Sequence, residues 1–329
     1  MGTIVRDMLV AACLLLACGQ VVAQTAAPAW PARAIRIVVP FPPGGSSDVI
    51  ARLLAPRLSE RYGQPVIVDN RPGGGGTVGA DVVARAAPDG YSLLVGAAGA
   101  LVTNPLLMPK LTYDPLRDFA PISLLVTSPF AVSVNPAQMP HVRTLRDLIA
   151  ALKAKPGLTF ASGGTGSGMH LAGELFRQMT GIDMTHVPYK GNGPALAGLA
   201  GGEVHMAFTD LGSTPPLATA GRIRVLAVAS TRRSEAGSDV PTATESGVPG
   251  WEALGWFGLV APAHTPAAII DRLNAETVAF LRAPEMRERI LATGNDPAPS
   301  TPAEFAAFIR TEHARWAKLI REAGIRLEP

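Results

Sequence analysis

The chain is poor in the residues that most reactive and cross-linked proteins depend on. It has two cysteines, Cys13 and Cys18, both near the amino end. If the first residues are removed, no disulfide, thiolate metal site or cysteine nucleophile remains possible. The six histidines are scattered, so no spacing suggests a metal cluster. Charged residues make up only 17% and are nearly balanced, 29 Lys plus Arg against 26 Asp plus Glu. The longest basic cluster is Arg232-Arg233, too sparse for a nucleic-acid or membrane-surface stripe. Beyond the amino end no apolar run is long enough to span a bilayer. There is no Walker lysine motif, no Gly-x-Ser-x-Gly elbow and no pair of catalytic carboxylates, which leaves little for an enzyme reading.

What is present begins with a processing signal. Arg6 supplies a positive start, residues 8–18 are apolar but short, and Val21-Val22-Ala23 offers small residues for cleavage before Gln24. The alternative, a buried amino-terminal helix, fits poorly with the small-residue, Pro-bearing stretch from Ala23 to Pro31. Residues 1–23 are therefore expected to be a signal peptide directing export to the periplasm. Leu15-Leu16-Ala17-Cys18 loosely resembles a lipoprotein box, but Leu16 suits it badly, which favours a soluble mature form over one acylated at Cys18.

Hydrophobic residues reach 47% of 329 positions, enough for two α/β domains. Strand and helix patterns alternate from Ala34. Ile35 to Val39 reads as a buried strand. A helix from Ser47 follows, capped by Ser46 or Ser47 with Asp48 against its positive end. Val66 to Val68 and Tyr91 to Val95 read as strands, separated by a glycine turn and a helix from about Val78 to Ala86. The scheme repeats: a capping box at Thr144 to Asp147, strand Leu158 to Ala161, a helix through Leu171 and Phe176, strand Thr185 to Val187, helix Pro194 to Ala200, and strands Val204 to Phe208 and Val225 to Ala229. Thr265-Pro266 and Thr301-Pro302 read as helix starts with Pro at the first helical position. This pattern predicts an α/β fold of mostly parallel sheets with helices on both faces. One lobe is expected at 31–127 plus 251–329 and the other at 128–250, joined by crossovers that form a hinge.

Three glycine-rich loops precede helices at the carboxyl ends of strands, where open α/β sheets bind ligands. They span 41–48, 71–77 and 161–170. Helix starts beside glycine present free N–H groups and positive partial charge, so three aimed at one cleft would form an anion site. Each loop alone could be a plain βα turn. Gly74-x-Gly76-x-x-Gly79 formally matches a dinucleotide fingerprint, but the following strand ends in Gly96-Ala97-Ala98 where a ribose-binding acid is needed. His170 reads as a loop or cleft donor, and its spacing from Glu174 only remotely suggests a metal. Asp210 either faces the cleft or caps a helix over 213–220. Lys190 points into the cleft or into solvent, and Trp256 and Phe257 read as core.

These loops sit within motifs that resemble the Bug family of extracytoplasmic solute receptors of tripartite tricarboxylate transporters. The likeness covers nearly the whole mature chain. It is carried by Trp30-Pro31, the run Ile35 to Gly45, Val68 to Gly74, Ala87-Pro88-Asp89-Gly90-Tyr91, Asn104-Pro105-Leu106, Tyr113-Asp114-Pro115, Asp118-Phe119, Val187 to Gly191 and Gly255 to Pro262. The resemblance implies a two-lobed periplasmic-binding-protein fold, a small carboxylate ligand, membrane transporter subunits as partners, no cofactor and a monomer. It places the ligand carboxylate, through backbone and ordered water, at Gly44, Gly45 and Ser46. Ser162, Thr165, Gly166, His170 and Asp210 are expected opposite. Pro43, Asp48, Gly74, Ala97, Thr103, Gly164, Tyr189 and Lys190 complete the ligand-binding candidates. Where relatives often carry a His before Asn104, this chain reads Gly99 to Thr103, a less polar wall implying a larger apolar ligand body. His205 is expected on the sheet rather than in the site. Two other readings stay open: presentation of ligand to a sensor kinase, and a periplasmic hydrolase using His170, a serine and Asp210.

Overall fold

The structure, a computed structural model, describes residues 30–108 and 110–326. The expected leader and the Cys18 acylation alternative lie outside the described residues. Strand β1 (Ile35–Val39) pairs in parallel with β2 (Val66–Asn70) and β3 (Ser92–Ala97). Apolar side chains on both faces of β1 leave Ile35, Ile37, Val38 and Val39 without exposed surface, as a strand covered on both sides requires. Helices α1 (Ser46–Tyr62) and α2 (Thr77–Ala84) make the crossovers. After β3 come a π-helical turn (Gly99–Thr103) and the short α3 (Asn104–Leu107).

A long strand, β4 (Phe119–Val134), leads into α4 (Leu145–Ala154), β5 (Leu158–Ser162), α5 (Gly168–Thr180), β6 (Met184–Pro188), α6 (Asn192–Gly201), β7 (Met206–Asp210), α7 (Pro215–Thr219) and β8 (Arg224–Val228). β9 (Leu254–Pro262), α8 (Ala267–Arg282), α9 (Pro284–Leu291), β10 (Asp296–Pro297) and α10 (Pro302–Ala323) finish the described chain. The strand order is β2-β1-β3-β9-β4-β7-β5-β6, with β8 and β10 also pairing β4. β5 pairs in parallel with β6 and β7, while β9, β7, β8 and β10 all run antiparallel to β4.

The α/β expectation holds, but the sheet is mixed: a parallel trio stands at each end and antiparallel strands fill the centre. The central strand carries no alternation to read. Its sequence is almost continuously apolar and contains Pro121 and Pro129, and proline argues against an interior strand. Bulges near Pro121 and Leu124 absorb part of that misfit.

Helix starts follow local chemistry in part. Capping boxes form at Thr144 with Asp147 and at Thr301 with Glu304. Neither Ser46 nor Ser47 caps α1, however. Gly45 takes that position and no side chain caps the helix. Pro266 is likewise the cap of α8 rather than its first residue, and the Thr265 hydroxyl donates back to the Pro262 carbonyl.

Helix α10 closes one face of the sheet by seating Phe305 over β9, edge-on to Trp256. Phe305 is fully buried, and a methyl group at Gly258 would overlap its ring. Gly258→Ala is therefore expected to lose about 2 kcal/mol from overpacking, measured as a lower urea midpoint. Gly193→Ala, a helix position with open space around it, is expected to stay within about 0.5 kcal/mol of the parent.

Candidate functional site

Register alone brings the two parallel trios end to end. β3 runs antiparallel to β9, and β9 antiparallel to β4, so β3 runs in the same sense as β4. Its last residue, Ala97, lies beside Phe257, which lies beside Val126. β7 approaches β4 from the opposite direction and ends with Asp210 beside Phe130. The carboxyl ends of β1, β2 and β3 and those of β5, β6 and β7 therefore converge on residues 126–130 of one strand. Four residues of strand span about 13 Å. Loops that follow strand carboxyl ends are where α/β sheets bind ligands.

On the β1–β3 side the first glycine loop is held from behind. The Gly44 amide donates to Asp48 Oδ2 at 2.9 Å, and Arg52 Nε donates to the same oxygen at 2.9 Å. Asn70 Nδ2 donates to Asp48 Oδ1 at 2.9 Å and to the Phe41 carbonyl at 3.1 Å. Arg52 Nη2 then closes the ring on Asn70 Oδ1. Burial opposes the Asp48 charge, but Arg52, the Gly44 amide and Asn70 together hold its carboxyl below the usual carboxylate range. Asp48 is thus a buried clamp with both oxygens engaged, shaping the loop from inside. Pro43, Gly44, Gly45 and Ser46 remain exposed. The left-handed φ of 88° at Gly44 is one that side chains resist. No side chain caps α1, so its first amides are left without a side-chain acceptor at the positive end of the helix dipole.

The second loop packs against the first. Asn104 Nδ2 donates to the carbonyls of Gly74 and Gly75, and the Thr77 hydroxyl donates to that of Gly74. The Gly74 carbonyl is therefore engaged within the loop. Gly76 abuts the Phe41 ring and Ala100. The apolar segment before Asn104 is core rather than a cleft wall: Ala100, Leu101, Val102 and Thr103 are all buried, Thr103 at 2% exposure. Ala97 is buried as well, so Ala97 and Thr103 support this side from within. Steric demand explains both, since the π-helical turn folds its side chains back onto β3.

On the other side the third loop is built around two stacked imidazoles. The His170 and His186 rings stack with centroids 3.8 Å apart and nearly parallel planes. His170 Nδ1 accepts from the Gly166 amide at 3.1 Å, while its Nε2 faces Glu174 at 3.7 Å. Burial opposes the Glu174 charge, but His170 and Arg177 hold its carboxyl below the usual range. Ser162 Oγ meets His186 Nε2 at 2.7 Å and accepts from the Gly164 amide. Burial, with His170 next, pushes His186 down to about 4, so it is uncharged at neutral pH. Ser162 and His170 are almost wholly buried, and both bond within the loop. Ser167 caps α5 by accepting from the His170 amide. Thr165 is exposed at the tip, while Gly166 is covered. The Tyr189 hydroxyl donates to Glu203, and Lys190 is exposed.

Asp210 behaves differently. It starts the 3-10 turn Leu211–Ser213 without capping it, so the cap reading fails. Its backbone amide donates to Asn192 Oδ1, and its carboxylate has no hydrogen-bond or ion-pair partner among the described residues. Burial pushes that carboxyl up to about 6, although part of the residue still meets solvent.

Four residues escaped the sequence reading as structural parts of the site: Asn70, Asn104, Asn192 and His186. Each asparagine stands beside a glycine turn, the usual place for a carboxamide that bonds backbone. Nothing local marks His186, whose role depends on the adjacent strand. His205 sits at the far end of β7, bonded to Thr159, on the sheet as expected. Among the described residues no group of three His, Cys, Asp or Glu could hold a metal ion, and no helix is long and apolar enough to cross a membrane.

Comparison with known proteins agrees with this geometry. The model of the tripartite tricarboxylate transporter family receptor matches residues 50–325. BugT of Bordetella pertussis is 39% identical over 317 residues, covering 96% of this chain and 97% of BugT. The solved structure of R. palustris Rpa4515 with adipate is similar at 40% identity and a TM-score of 0.79, covering 90% of this chain and 99% of that one. MatC from Rhodopseudomonas palustris with bound malate is similar at 33% identity and a TM-score of 0.74, covering 88% and 100%. The shared architecture is the α/β periplasmic-binding-protein fold. This chain belongs to the tripartite tricarboxylate transporter receptor family, whose members are periplasmic solute receptors rather than enzymes.

Proposed function

We propose that this protein is exported by a leader over residues 1–23 and works in the periplasm as a soluble monomer. It binds a small carboxylate between a lobe of residues 31–127 with 251–329 and a lobe of residues 128–250. It then presents the closed form to the membrane subunits of a tripartite tricarboxylate transporter. The observation that carries this reading is the convergence of both trios of strand ends on the middle of β4, with the uncapped start of α1 at Gly44, Gly45 and Ser46. Neutral amides suit a receptor that must release its cargo, since each contributes only about 1 kcal/mol net. The proposed hinge lies where β4 exchanges β9 for β7 and β8, at residues 129–131. Adipate on Rpa4515 and malate on MatC make short dicarboxylates the first ligands to test.

Three outcomes are expected. In a thermal-shift screen of C4 to C8 dicarboxylates, tricarboxylates, aromatic acids and amino acids, at least one ligand at a hundredfold excess over its Kd raises Tm by about 5 °C. A uniformly flat screen removes the receptor reading. Small-angle scattering with that ligand shows a smaller radius of gyration, and an unchanged radius removes lobe closure. Asp48→Asn keeps the volume but loses the charge that grips Gly44 and Arg52. Its Kd for the ligand is expected to rise about tenfold, or ~1.4 kcal/mol, by calorimetry, with an unchanged circular dichroism spectrum. An unaltered Kd would show that the clamp does not govern the loop.

A further inference from the structure

The two aspartates beside the converging loops are treated oppositely. Asp48 has three donors satisfying its charge, the Gly44 amide, Arg52 Nε and Asn70 Nδ2, while the Asp210 carboxylate has none among the described residues. Its close neighbours, Ser128 and Phe130 on β4, Asn192 at the start of α6 and Gly255 on β9, are all uncharged. Gly255 matters here. The first atom of a side chain at that position would stand at contact distance, 3.4 Å, from Asp210 Oδ1, so glycine spares that oxygen an apolar neighbour. A half-desolvated, unpaired carboxylate is costly unless something donates to it. A second carboxylate brought against it adds like-charge repulsion.

We propose that Asp210 is a specificity-determining residue that favours carboxylates bearing a hydroxyl or ammonium donor and disfavours plain dicarboxylates at neutral pH. This rests on the carboxylate-receptor reading above. The donor of such a ligand satisfies the free oxygens of Asp210, whereas a donor-free dianion leaves them unpaired and opposed. A proton can substitute for the missing donor. Because burial raises the Asp210 carboxyl to about 6, mild acid converts it to a donor that accepts a plain dicarboxylate.

The test is calorimetry of the full mature chain with succinate, L-malate and L-aspartate, a series differing at one substituent, at pH 8 and pH 6. At pH 8 the native protein is expected to bind malate or aspartate at least tenfold more tightly than succinate. Succinate affinity is expected to rise roughly fiftyfold at pH 6, the ratio of protonated Asp210 at the two pH values for a group titrating near 6. In Asp210→Asn the preference and the pH dependence both vanish. Equal affinities for the series at pH 8, or a pH dependence kept by Asp210→Asn, would overturn the assignment while leaving the receptor reading intact. Absence of binding by all three probes to both proteins would instead overturn the short-dicarboxylate reading, and this proposal with it. Melting provides a ligand-free check. A folded-state pKa above the unfolded value of about 4 gives stability that is complete below 4 and lost as pH rises through about 6. Asp210→Asn should therefore melt higher than the native protein at pH 8 and show no such gain at pH 4.

Discussion

A single strand imposes the geometry on which everything else depends. β4 is long enough to pair with β9 along its first part and with β7 and β8 along its last. Since β3 runs with β4 and β7 runs against it, the two parallel trios must aim their carboxyl ends at the same few residues. A parallel sheet gathers its connecting loops and helix starts at the carboxyl ends. Two such sheets joined head to head through one strand therefore direct their loops toward the same stretch of that strand.

The loops achieve their form by facing their reactive groups inward. Asp48, Arg52 and Asn70 lock the first loop; Asn104 and Thr77 lock the second; Ser162, His170, His186 and Glu174 lock the third. This leaves mainly peptide amides and the dipole of α1 outward, which is preorganised attraction for an anion without a fixed charge to hold it too long. It also disposes of the hydrolase alternative on this chain's own terms. Ser162 and His170, which such a mechanism would need exposed, are consumed as supports beneath a loop in a family of receptors. Asp210 is the exception. Of Asp48, Glu174 and Asp210, only Asp210 has a carboxylate with no partner among the described residues, and the proposed ligand selectivity rests on that.

Much of the architecture was legible before any coordinates. The alternation from Ile35 onward, the capping boxes at Thr144 and Thr301, and the glycine loops at strand ends all follow from local rules of periodicity and turn chemistry. β4 was not legible, because its prolines and largely apolar, non-alternating sequence carry no strand signature and its pairing is decided by sequence-distant partners. The same limit applied to side chains. A serine or histidine beside glycine reads as a donor for a ligand, yet whether it faces the guest or the protein depends on what the neighbouring strand supplies, here His186 and Glu174.

By itself the sequence determined the kind of molecule: repeated βα units, glycine-bordered helix starts and motifs shared with a receptor family. These are matters of composition and spacing, and they survive without tertiary contacts. Only the folded chain decided that both sets of loops meet at residues 126–130 of β4, that Asp48 is saturated, and that Asp210 is not. Pairing between segments a hundred residues apart sets each group's distance from water and from its partners, and those distances fix whether a carboxylate holds a loop or waits for a ligand.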